Sequence, residues 1–552
     1  MNALKWLKSV LPLFVICFSL LSRAEAQALL VSPAQLNFGV VYENAPDSLP
    51  LTLTNTLNRD VTVYNIRFYN TYGAPAFSTL YNWFVVPANG SVTLWVRFAP
   101  RHNIYHNSEM IIENDGLRGV SRVDLVGQGR FSNAYYSTTE DLKEEPLKSS
   151  FHTLLGIGYD TLGYTVARDS MFMQIDNQSL NGQGAAINTI ESCYTGALAT
   201  GYVNRTDCQT TFSFNTEHTF PQGFFNSLEP MRSDLHHLYA CDDLSNNTRG
   251  NNPFGVVSSN VTWSGGGSKS DGNYFEPRDA QKGKAARSLL YFVIRYQDYT
   301  NFVQPQEALL RLWHTGFPPD AIDRRRNDDI YSDQHNRNPF VDYPQFIERI
   351  HLICGTSTEP SAPSLDFPED TIVYGYVAPG TSADFEYVIV NKGNEAIDLT
   401  NFNLTLPSVF SFASGGNNIT LQPGEALPLI ITASPSSTSA ANAQLTFNTS
   451  LSSSPSVTVP IYLNDPLVNT IANHSEPSFD IYPNPVADQL TVHVAQSCAF
   501  SVSMCDASGR QLIEPFSANG TCSINLAALA PGCYFLNMNG SGFNIRRIII
   551  KP

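Results

Sequence analysis

The chain has 552 residues, enough for three to five domains at roughly 100–200 residues each. Hydrophobic residues make up 42% and charged residues only 15%, a composition typical of globular, β-rich material that excludes a disordered chain. The net charge of −16 argues against nucleic-acid binding driven by overall charge, although one basic cleft or a bound metal can still hold a polyanion.

The first 26 residues have the parts of a secretory signal. Lys5 and Lys8 precede an apolar run over residues 11–21, and Ala24-Glu25-Ala26 offers small residues for cleavage after Ala26. A membrane anchor is the alternative, but the run is short for a hydrocarbon core of about 30 Å. We therefore expect an exported protein without a stable membrane span.

Eight cysteines remain once Cys17 leaves with the signal: Cys193, Cys208, Cys241 and Cys354 in the middle of the chain, and Cys498, Cys505, Cys522 and Cys533 near its end. None shows C-x-x-C spacing, which disfavours zinc. An even number of cysteines in an exported chain indicates disulfides within each region. We expect Cys193–Cys208 as one pair, and the sequence leaves the remaining connectivity open.

Residues 27–132 and 358–466 share an all-β pattern of short alternating runs, separated by Pro, Gly and Asn turns. Residues 33–38 are echoed by residues 363–367, and residues 86–90 before one strand are echoed by 421–424 before another. The pattern resembles two copies of an immunoglobulin-like β-sandwich, of the kind common in exported bacterial proteins.

Residues 133–354 differ, because helical periodicity appears late in this segment. Ala286, Leu289, Leu290 and Val293 recur at helical spacing and predict a helix over residues 279–296. A second helix is predicted over residues 306–314, ended by Gly316 and the prolines beyond it. We therefore expect an α+β domain between the two β modules.

A polar linker, residues 467–475, leads to a further small β region over residues 476–552. Its marks are Tyr482-Pro-Asn-Pro485, the Gly509-Arg510 turn, the segment around Pro531-Gly532 and the basic end from Arg546. These closely resemble the C-terminal sorting domain of the type IX secretion system. The resemblance implies export across both membranes of a Bacteroidetes-type bacterium, followed by secretion or attachment at the cell surface. An ordinary third β module is the alternative.

Polar and charged residues that suit phosphodiester chemistry form four clusters in the middle domain: residues 215–221, residues 233–238 with 244–251 and 253–255, residues 276–287, and residues 324–330 with 334–340. Hydrolysis of a phosphodiester needs a base for water, a cation on the oxygens and positive charge for the developing anion. His218 can supply the base, and Glu217 and Asn246 can supply oxygen ligands of the kind that magnesium accepts. Arg249, Arg287 and Arg337 can hold phosphates.

Taken singly, these residues have plainer explanations. A Glu-His pair is common by chance, so His218 alone suits a structural or surface role better. Residues 234–237 can equally begin a helix packed by Leu235 and Leu238, and the arginine run 324–326 is typical of a solvated face.

Together, over roughly residues 136–350, the clusters resemble the endonuclease I family of His-Me finger (ββα-metal) nucleases, in family order. The resemblance implies that His218 is the general base and that Glu217 and Asn246 bind one Mg²⁺, or another divalent cation such as Mn²⁺ or Ca²⁺. It also suggests a catalytic role for Arg249 and substrate binding by Arg287 and Arg337.

Some positions depart from the family pattern. Phe220 and Phe224 stand where relatives usually have Trp, which should preserve the packing. His335 replaces a usual Gly, in a turn that needs positive φ. Some relatives carry a product-stabilising Arg on an insertion that does not fit between His218 and Asp234, so that Arg is not assignable here, although Arg232 is nearby.

The sequence thus predicts a multidomain, secreted, metal-dependent endonuclease that cuts DNA, with RNA as a further candidate substrate and with little sequence specificity. Its partners would be nucleic acid and the type IX machinery. The alternative is a cell-surface adhesion or binding protein with an inactive nuclease-like domain. Since residues 133–354 hold 18 Lys and Arg against 26 Asp and Glu, binding needs a local groove, with candidates Lys282, Lys284, Arg287 and residues 324–326.

Overall fold

The computed structural model describes residues 28–69, 76–116, 119–297, 299–465, 479–482, 486–494, 499–506, 511–530, 532–540 and 543–551. The expected signal and the linker 467–475 lie outside these residues. Within the described ranges, none of the helices combines the length and the hydropathy that a membrane crossing requires.

The N-terminal module is a pair of facing sheets. Its described strands are β1 (Leu29–Ser32), β2 (Gln35–Tyr42), β3 (Asp47–Asn55), β4 (Val61–Tyr69), β5 (Phe77–Thr79), β6 (Phe84–Val86), β7 (Ser91–Phe98), β8 (Tyr105–Asn114) and β9 (Ser121–Arg130). One sheet has the order β1-β3-β7-β5 and the other β2-β9-β8-β4-β6. Along β7, Leu94, Val96 and Phe98 are buried while Trp95 and Arg97 are exposed, so alternate side chains enter the core between the sheets.

The middle region is α+β, as expected. Its regular elements are α1 (Glu144–Gly156), α2 (Tyr164–Ser170), β10 (Thr189–Glu191), β11 (Leu198–Thr200), α3 (Arg205–Phe212), β12 (Phe214–His218), β13 (Leu238–Asp242), α4 (Asp243–Arg249), β14 (Trp263–Gly265), β15 (Ser268–Ser270), β16 (Phe275–Glu276), α5 (Asp279–Tyr296), α6 (Thr300–Val303), α7 (Glu307–Gly316), α8 (Ala321–Gln334) and α9 (Pro339–Asp342). A π-helical turn, Met171–Ile175, continues α2. Short 3₁₀ turns cover Ala134–Thr139, Gln222–Phe225, Met231–Ser233, Leu235–His237, Gln304–Gln306 and Pro344–Arg349.

Helix α5 is the centre of this region. It spans the predicted residues, and most of its side chains after the second turn are buried against α1, α7 and α9. The ring of Phe220 stacks on Phe292 of α5, with centroids 4.1 Å apart, so the packing expected at this position is confirmed. Phe224 is half-exposed but still contacts the ring of Phe302.

The second β module repeats the first. Its described strands are β17 (Leu365–Asp366), β18 (Ile372–Val373), β19 (Ala383–Asn391), β20 (Ile397–Leu404), β21 (Phe410–Ser414), β22 (Ile419–Leu421), β23 (Ala426–Ala433), β24 (Ala441–Thr449) and β25 (Ser456–Leu463). The sheet orders, β17-β19-β23-β21 and β18-β25-β24-β20-β22, reproduce those of the N-terminal module strand by strand. Asn55 ends β3 and Asn391 ends β19, and each buried amide donates to carbonyls of neighbouring segments. The duplication predicted from the sequence is therefore confirmed at the level of topology.

The C-terminal region has a core of its own. Its described strands are β26 (Phe479–Tyr482), β27 (Gln489–Val494), β28 (Ala499–Asp506), β29 (Gln511–Asn519), β30 (Thr521–Asn525), β31 (Gly532–Gly540) and β32 (Phe543–Lys551). They form the sheets β26-β27-β30 and β29-β28-β31-β32, which enclose an apolar cluster separate from the other cores.

The two sandwich modules touch each other although the nuclease-like region lies between them in the chain. Arg122 of β9 pairs with Glu386 of β19 at 3.0 Å, and Arg67 of β4 pairs with Asp366 at 3.2 Å. Beside these ion pairs, Tyr69, Ile111 and Val120 pack against Val388 and Val390 in a small apolar cluster. The two modules therefore share a direct interface of ion pairs and apolar contacts.

The predicted Cys193–Cys208 disulfide is wrong. Both thiols are free and buried, because Cys208 lies in the cluster around α2 and α3 whereas Cys193 lies in the α5 cluster. The thiol of Cys193 contacts Cys241 instead. Cys354 and Cys522 are free as well, whereas Cys498 and the side chain of Cys533 lie outside what the structure describes.

The junction of the modules depends on a glycine. Gly119 has φ +104°, and a β-carbon there would collide with the carbonyl oxygen of Glu386, with which Gly119 forms a β-bridge. We expect Gly119→Ala to lower the stability of the chain by at least the 1–3 kcal/mol that is typical, roughly, of such backbone strain. Calorimetric unfolding of the full chain measures this loss. Gly158→Ala is the control, since Gly158 also has positive φ but open space around it. Equal losses in the two variants would show that the contact with Glu386 contributes nothing.

Candidate active site

Strands β12 and β13 and helix α4 form a compact unit that carries the predicted catalytic residues. The strands are antiparallel, with Glu217 opposite Tyr239 and His218 opposite Leu238. The chain enters α4 directly from β13, because Asp242 caps the helix: its Oδ1 accepts a hydrogen bond from the Ser245 amide at 2.9 Å. Helix α4 then lies against both strands.

Arg249, at the end of α4, ties the helix to the end of β12. Its side chain is 1% exposed. Nη1 donates to the carbonyl of His218 at 3.1 Å, and Nη2 donates to that of Thr219 at 2.6 Å. Nη1 also lies 3.2 Å from Oε1 of Glu217. A guanidinium enclosed in this way holds the strand end and the carboxylate in place, and this contact set indicates a positioning role for it.

Glu217 is held at one oxygen and leaves the other for a ligand. Its Oε1 accepts a hydrogen bond from the hydroxyl of Tyr194 at 2.6 Å as well as facing Arg249. Burial raises the pKa of Glu217, and the nearby Arg249 and Tyr194 oppose that rise. A divalent cation at the second oxygen would favour the ionised carboxylate further.

His218 has one ring nitrogen fixed by the backbone. Its Nε2 lies 3.2 Å from the carbonyl oxygen of Arg232, and because a carbonyl only accepts, Nε2 carries the proton and Nδ1 keeps a free lone pair. Burial, reinforced by the neighbouring His237, lowers the pKa of His218 to about 3. The pKa of His218 therefore lies well below the ordinary imidazole value of about 6.5, and the ring is neutral at pH 7.

Asn246 presents an amide oxygen from α4. Its Nδ2 donates to the carbonyl of Thr216 at 3.3 Å, which fixes the amide and leaves Oδ1 as the free end. With Glu217 this makes a set of hard oxygen donors that suits Mg²⁺ or Ca²⁺ better than zinc. Across the described ranges, no three His, Cys, Asp or Glu side chains group into a metal cage. A site of one carboxylate, one amide oxygen and waters would not require such a group.

The segment after the Glu-His pair is structural. Asp234 caps the 3₁₀ turn Leu235–His237, and its buried carboxylate accepts hydrogen bonds from Tyr291 at 2.9 Å and Tyr296 at 2.8 Å. Leu235 and Leu238 are fully buried. The sequence left open whether these residues serve the chemistry or the packing, and their burial and contacts indicate packing.

The other predicted cations are paired with acidic side chains or with a backbone carbonyl. Arg287 is 2% exposed and pairs with Asp323 at 2.8 Å, and Arg337 pairs with Asp342 at 2.6 Å. The basic residues predicted to line a groove also have partners. Four of them form ion pairs: Lys282 with Glu276 and Asp279, Lys284 with Asp323, Arg325 with Asp329, and Arg326 with Asp176. Arg324 donates a hydrogen bond to the carbonyl of Pro319. His335 has φ +59° at the end of α8, so the predicted positive-φ turn is confirmed.

Sequence reasoning missed two residues beside His218. The ring of Tyr164, the first residue of α2, lies 5.5 Å from the imidazole. The guanidinium carbons of Arg168 and Arg232 lie 4.1 and 4.2 Å from the centre of the Tyr164 ring. The sequence points to Arg232 only because it lies near His218 in the chain. Tyr164 and Arg168 precede the Glu-His pair by about fifty positions and carried no motif that could have signalled them.

Comparison with known proteins matches two parts of the chain to families. Residues 144–345 match the family model of Endonuclease I, and residues 480–551 match that of the secretion system C-terminal sorting domain. An extracellular ribonuclease of Bacillus amyloliquefaciens is 25% identical over 296 residues, which cover 50% of this chain and 91% of the relative. One of Bacillus subtilis is 27% identical over 237 residues, 40% of this chain and 78% of the relative. PapD-like domain 7 of human CEP192 matches 24% of this chain and 100% of that domain, with 14% identity and a TM-score of 0.18, too low to support an argument about fold.

These matches define the class of the protein. The chain carries an endonuclease I domain and, after it, a sorting domain that directs export and secretion or attachment at the cell surface. It is therefore an exported nuclease at the level of the family, as the motifs in the middle domain and the C-terminal segment had predicted.

The contacts of Arg249 predict that its main effect is on the stability of the folded protein. Arg249→Met should leave Glu217 buried beside Tyr194 without its ion-pair partner, at a cost of about 3–5 kcal/mol. Arg325→Met is the control, because Arg325 and Asp329 form an exposed pair that contributes little, about 1 kcal/mol at most. Urea unfolding followed by tryptophan fluorescence compares the two. An Arg249→Met protein as stable as the control would contradict the positioning role.

Proposed function

We propose that this protein is a secreted endonuclease of the His-Me finger (ββα-metal) type that hydrolyses phosphodiester bonds of DNA and RNA. In this proposal His218 is the general base, and one divalent cation is bound by Glu217 and Asn246. The observation that carries it is a neutral imidazole, fixed on a backbone carbonyl, at the end of the same strand as a carboxylate with one free oxygen.

The role of His218 follows from its free nitrogen. Nδ1 can accept a proton from an attacking water, while Nε2 stays hydrogen-bonded to the carbonyl of Arg232 and passes part of the new charge to it. Tyr164 covers the ring and limits its movement. Attack on phosphorus with departure of the 3′ oxygen would leave a 5′-phosphate end and a 3′-hydroxyl end.

The cation would be held by Glu217 and Asn246 with water in its other positions, because both residues offer hard oxygen atoms and both are fixed by second contacts. When bound, it supplies positive charge to the phosphate oxygens and the leaving oxygen. Mg²⁺ is the first candidate, and Mn²⁺ and Ca²⁺ are the others. In this proposal Arg249 holds the end of β12 and the carboxylate of Glu217 in position, and it does not contact the substrate.

The substrate class follows from the chemistry. A reaction in which water is the nucleophile needs no 2′-hydroxyl, so RNA and DNA are equally suitable, and the Bacillus relatives are described as ribonucleases. Side chains that contact only the phosphate form no hydrogen bonds with the bases, and this supports cleavage with low sequence specificity. The substrate-binding role that the sequence predicts for Arg287 and Arg337 finds no support in their ion pairs with Asp323 and Asp342.

The flanking modules are proposed to be immunoglobulin-like sandwiches. Their identical strand order and the parallel pairing of the second strand with the last, β2 with β9 and β18 with β25, support this assignment. The two modules contact each other directly. In this proposal they hold the nuclease domain, which lies between them in the chain, at the cell surface.

Three substitutions separate the base from the metal ligands. His218→Ala should bind metal and nucleic acid but lose turnover by about 10²–10⁴-fold, as expected for loss of a general base. Glu217→Ala and Asn246→Ala should instead raise the concentration of Mg²⁺ needed for activity, and excess Mg²⁺ should partly restore the rate. Initial rates of plasmid DNA and RNA cleavage against Mg²⁺ concentration measure both effects.

His152→Ala is the matched control, because its imidazole also contacts a backbone carbonyl, that of Ile294, on helix α5. It should cleave at the wild-type rate. Near-normal turnover by His218→Ala, or full wild-type activity in EDTA, would exclude the one-histidine, one-metal mechanism. Absence of cleavage by the wild type on both substrates would favour a binding protein with an inactive nuclease-like domain.

The sorting domain predicts how export fails. Deleting residues 476–552 should leave a folded nuclease in the periplasm, because this region has a core separate from the other three domains. Cell fractionation and immunoblotting locate the protein, and the full chain carrying His218→Ala is the control for normal export. Release of the truncated chain into the medium at the normal level would contradict the sorting function.

A further inference from the structure

We propose that Arg168 and Arg232, which both lie over the ring of Tyr164, form a binding site for a backbone phosphate of the substrate beside His218. The proposal rests on the nuclease function above and deepens it by naming the groups that hold the polyanion. Neither Arg168 nor Tyr164 belongs to the motifs that the sequence indicated.

Two separate elements build the site. Arg168 comes from α2 and Arg232 from the 3₁₀ turn Met231–Ser233, and these elements lie against each other. Both guanidinium groups stack on the Tyr164 ring, at 4.1 and 4.2 Å from its centre. The same ring lies 5.5 Å from the imidazole of His218, tilted by 33°. The two positive charges are therefore held next to the base.

The two guanidinium groups differ from Arg249, Arg287 and Arg337 because, among the described residues, they lack a carboxylate partner. The Nε atoms of Arg168 and Arg232 are buried without a hydrogen-bond partner, and no ion pair joins either side chain to a carboxylate in the part of the chain that the structure describes. Asp169, which follows Arg168, pairs with Arg205 at 2.6 Å instead. By contrast, Arg249, Arg287 and Arg337 each form an ion pair with a carboxylate. The Nε atoms of Arg249 and Arg287 are also buried without a partner, so the difference lies in the missing carboxylate and not in Nε.

An anion would complete this arrangement. Two like charges on a shared ring repel each other, and burial, together with the neighbouring Arg205 and Arg232, lowers the pKa of Arg168. A phosphodiester oxygen pair accepts from guanidinium groups in bidentate fashion and carries the negative charge that is missing here. The ligand is a backbone phosphate of nucleic acid, since the site lies beside the base of a nuclease domain.

The site also accounts for how a chain of net charge −16 binds a polyanion. The groove expected from the sequence relies on cations that are engaged by acidic side chains or by a backbone carbonyl. Arg168 and Arg232 provide local charge without such neutralisation, and Tyr164 keeps them aligned.

Binding assays in a non-cleaving protein test the inference. The full chain with His218→Ala is titrated with a short labelled DNA duplex in EDTA at several KCl concentrations. Adding Arg168→Gln or Arg232→Gln should weaken binding by about tenfold or more, as for loss of a charged hydrogen bond, and should reduce the slope of log Kd against log salt by about 1. Arg168→Lys should keep the slope, because the charge remains, while losing part of the affinity.

Arg325→Gln is the matched control, since it removes one charge from a guanidinium that already has a partner in Asp329. It should change neither Kd nor slope. Thermal melting of each variant checks folding, and the comparison of Lys with Gln at position 168 isolates charge between side chains of similar length.

Unchanged affinity and slope in both Gln variants would overturn the inference. So would equal losses in the Lys and Gln variants, because they would show a structural role for Arg168. Failure of the His218→Ala parent to bind nucleic acid at low salt would refute the proposed function and this site together. Retained cleavage by His218→Ala would refute only the proposed mechanism, since the binding comparison does not depend on turnover.

Discussion

The buried guanidinium of Arg249 is the contact on which the site depends. It joins the end of α4 to the backbone carbonyls of His218 and Thr219 and to the carboxylate of Glu217. Charge removed from water must be matched by partners of good geometry, so the group tolerates little displacement of the strand or the helix. The lone pair of His218 and the free oxygen of Glu217 are oriented as a consequence of that constraint.

Electrostatics in this protein is a matter of local pairing. Arg287, Arg326 and Arg337 look like a basic surface in the sequence, but Asp323, Asp176 and Asp342 neutralise them within the fold. Acidic residues in excess make such pairing the normal outcome. Positive charge remains effective only where the fold keeps carboxylates away, and beside His218 the aromatic ring of Tyr164 takes the place that an acidic partner would occupy.

The architecture places the nuclease domain between two copies of one sandwich. The copies meet through Arg122 and Glu386 and through a small apolar cluster. The nuclease domain is fixed to the first copy by Arg349, which donates to Asn103 at 2.6 Å. These contacts link the three regions, each of which has its own core, and the sorting region likewise has a core of its own. The described residues of the sorting region therefore share no apolar core with the nuclease domain.

The sequence by itself determined those features of the protein that depend on residues close together in the chain. Helix α5, the repeated sheet topology and the positive φ of His335 could be predicted, because periodicity and turn chemistry act over short distances. Motif spacing singled out Glu217, His218 and Asn246, whose roles stay a prediction. Tertiary structure alone decided which arginines are free, which cysteines meet and how far the pKa of His218 falls. Those properties depend on burial and on partners distant in the chain, such as Asp323 for Arg287 and Tyr164 for Arg232, and no short-range pattern records them.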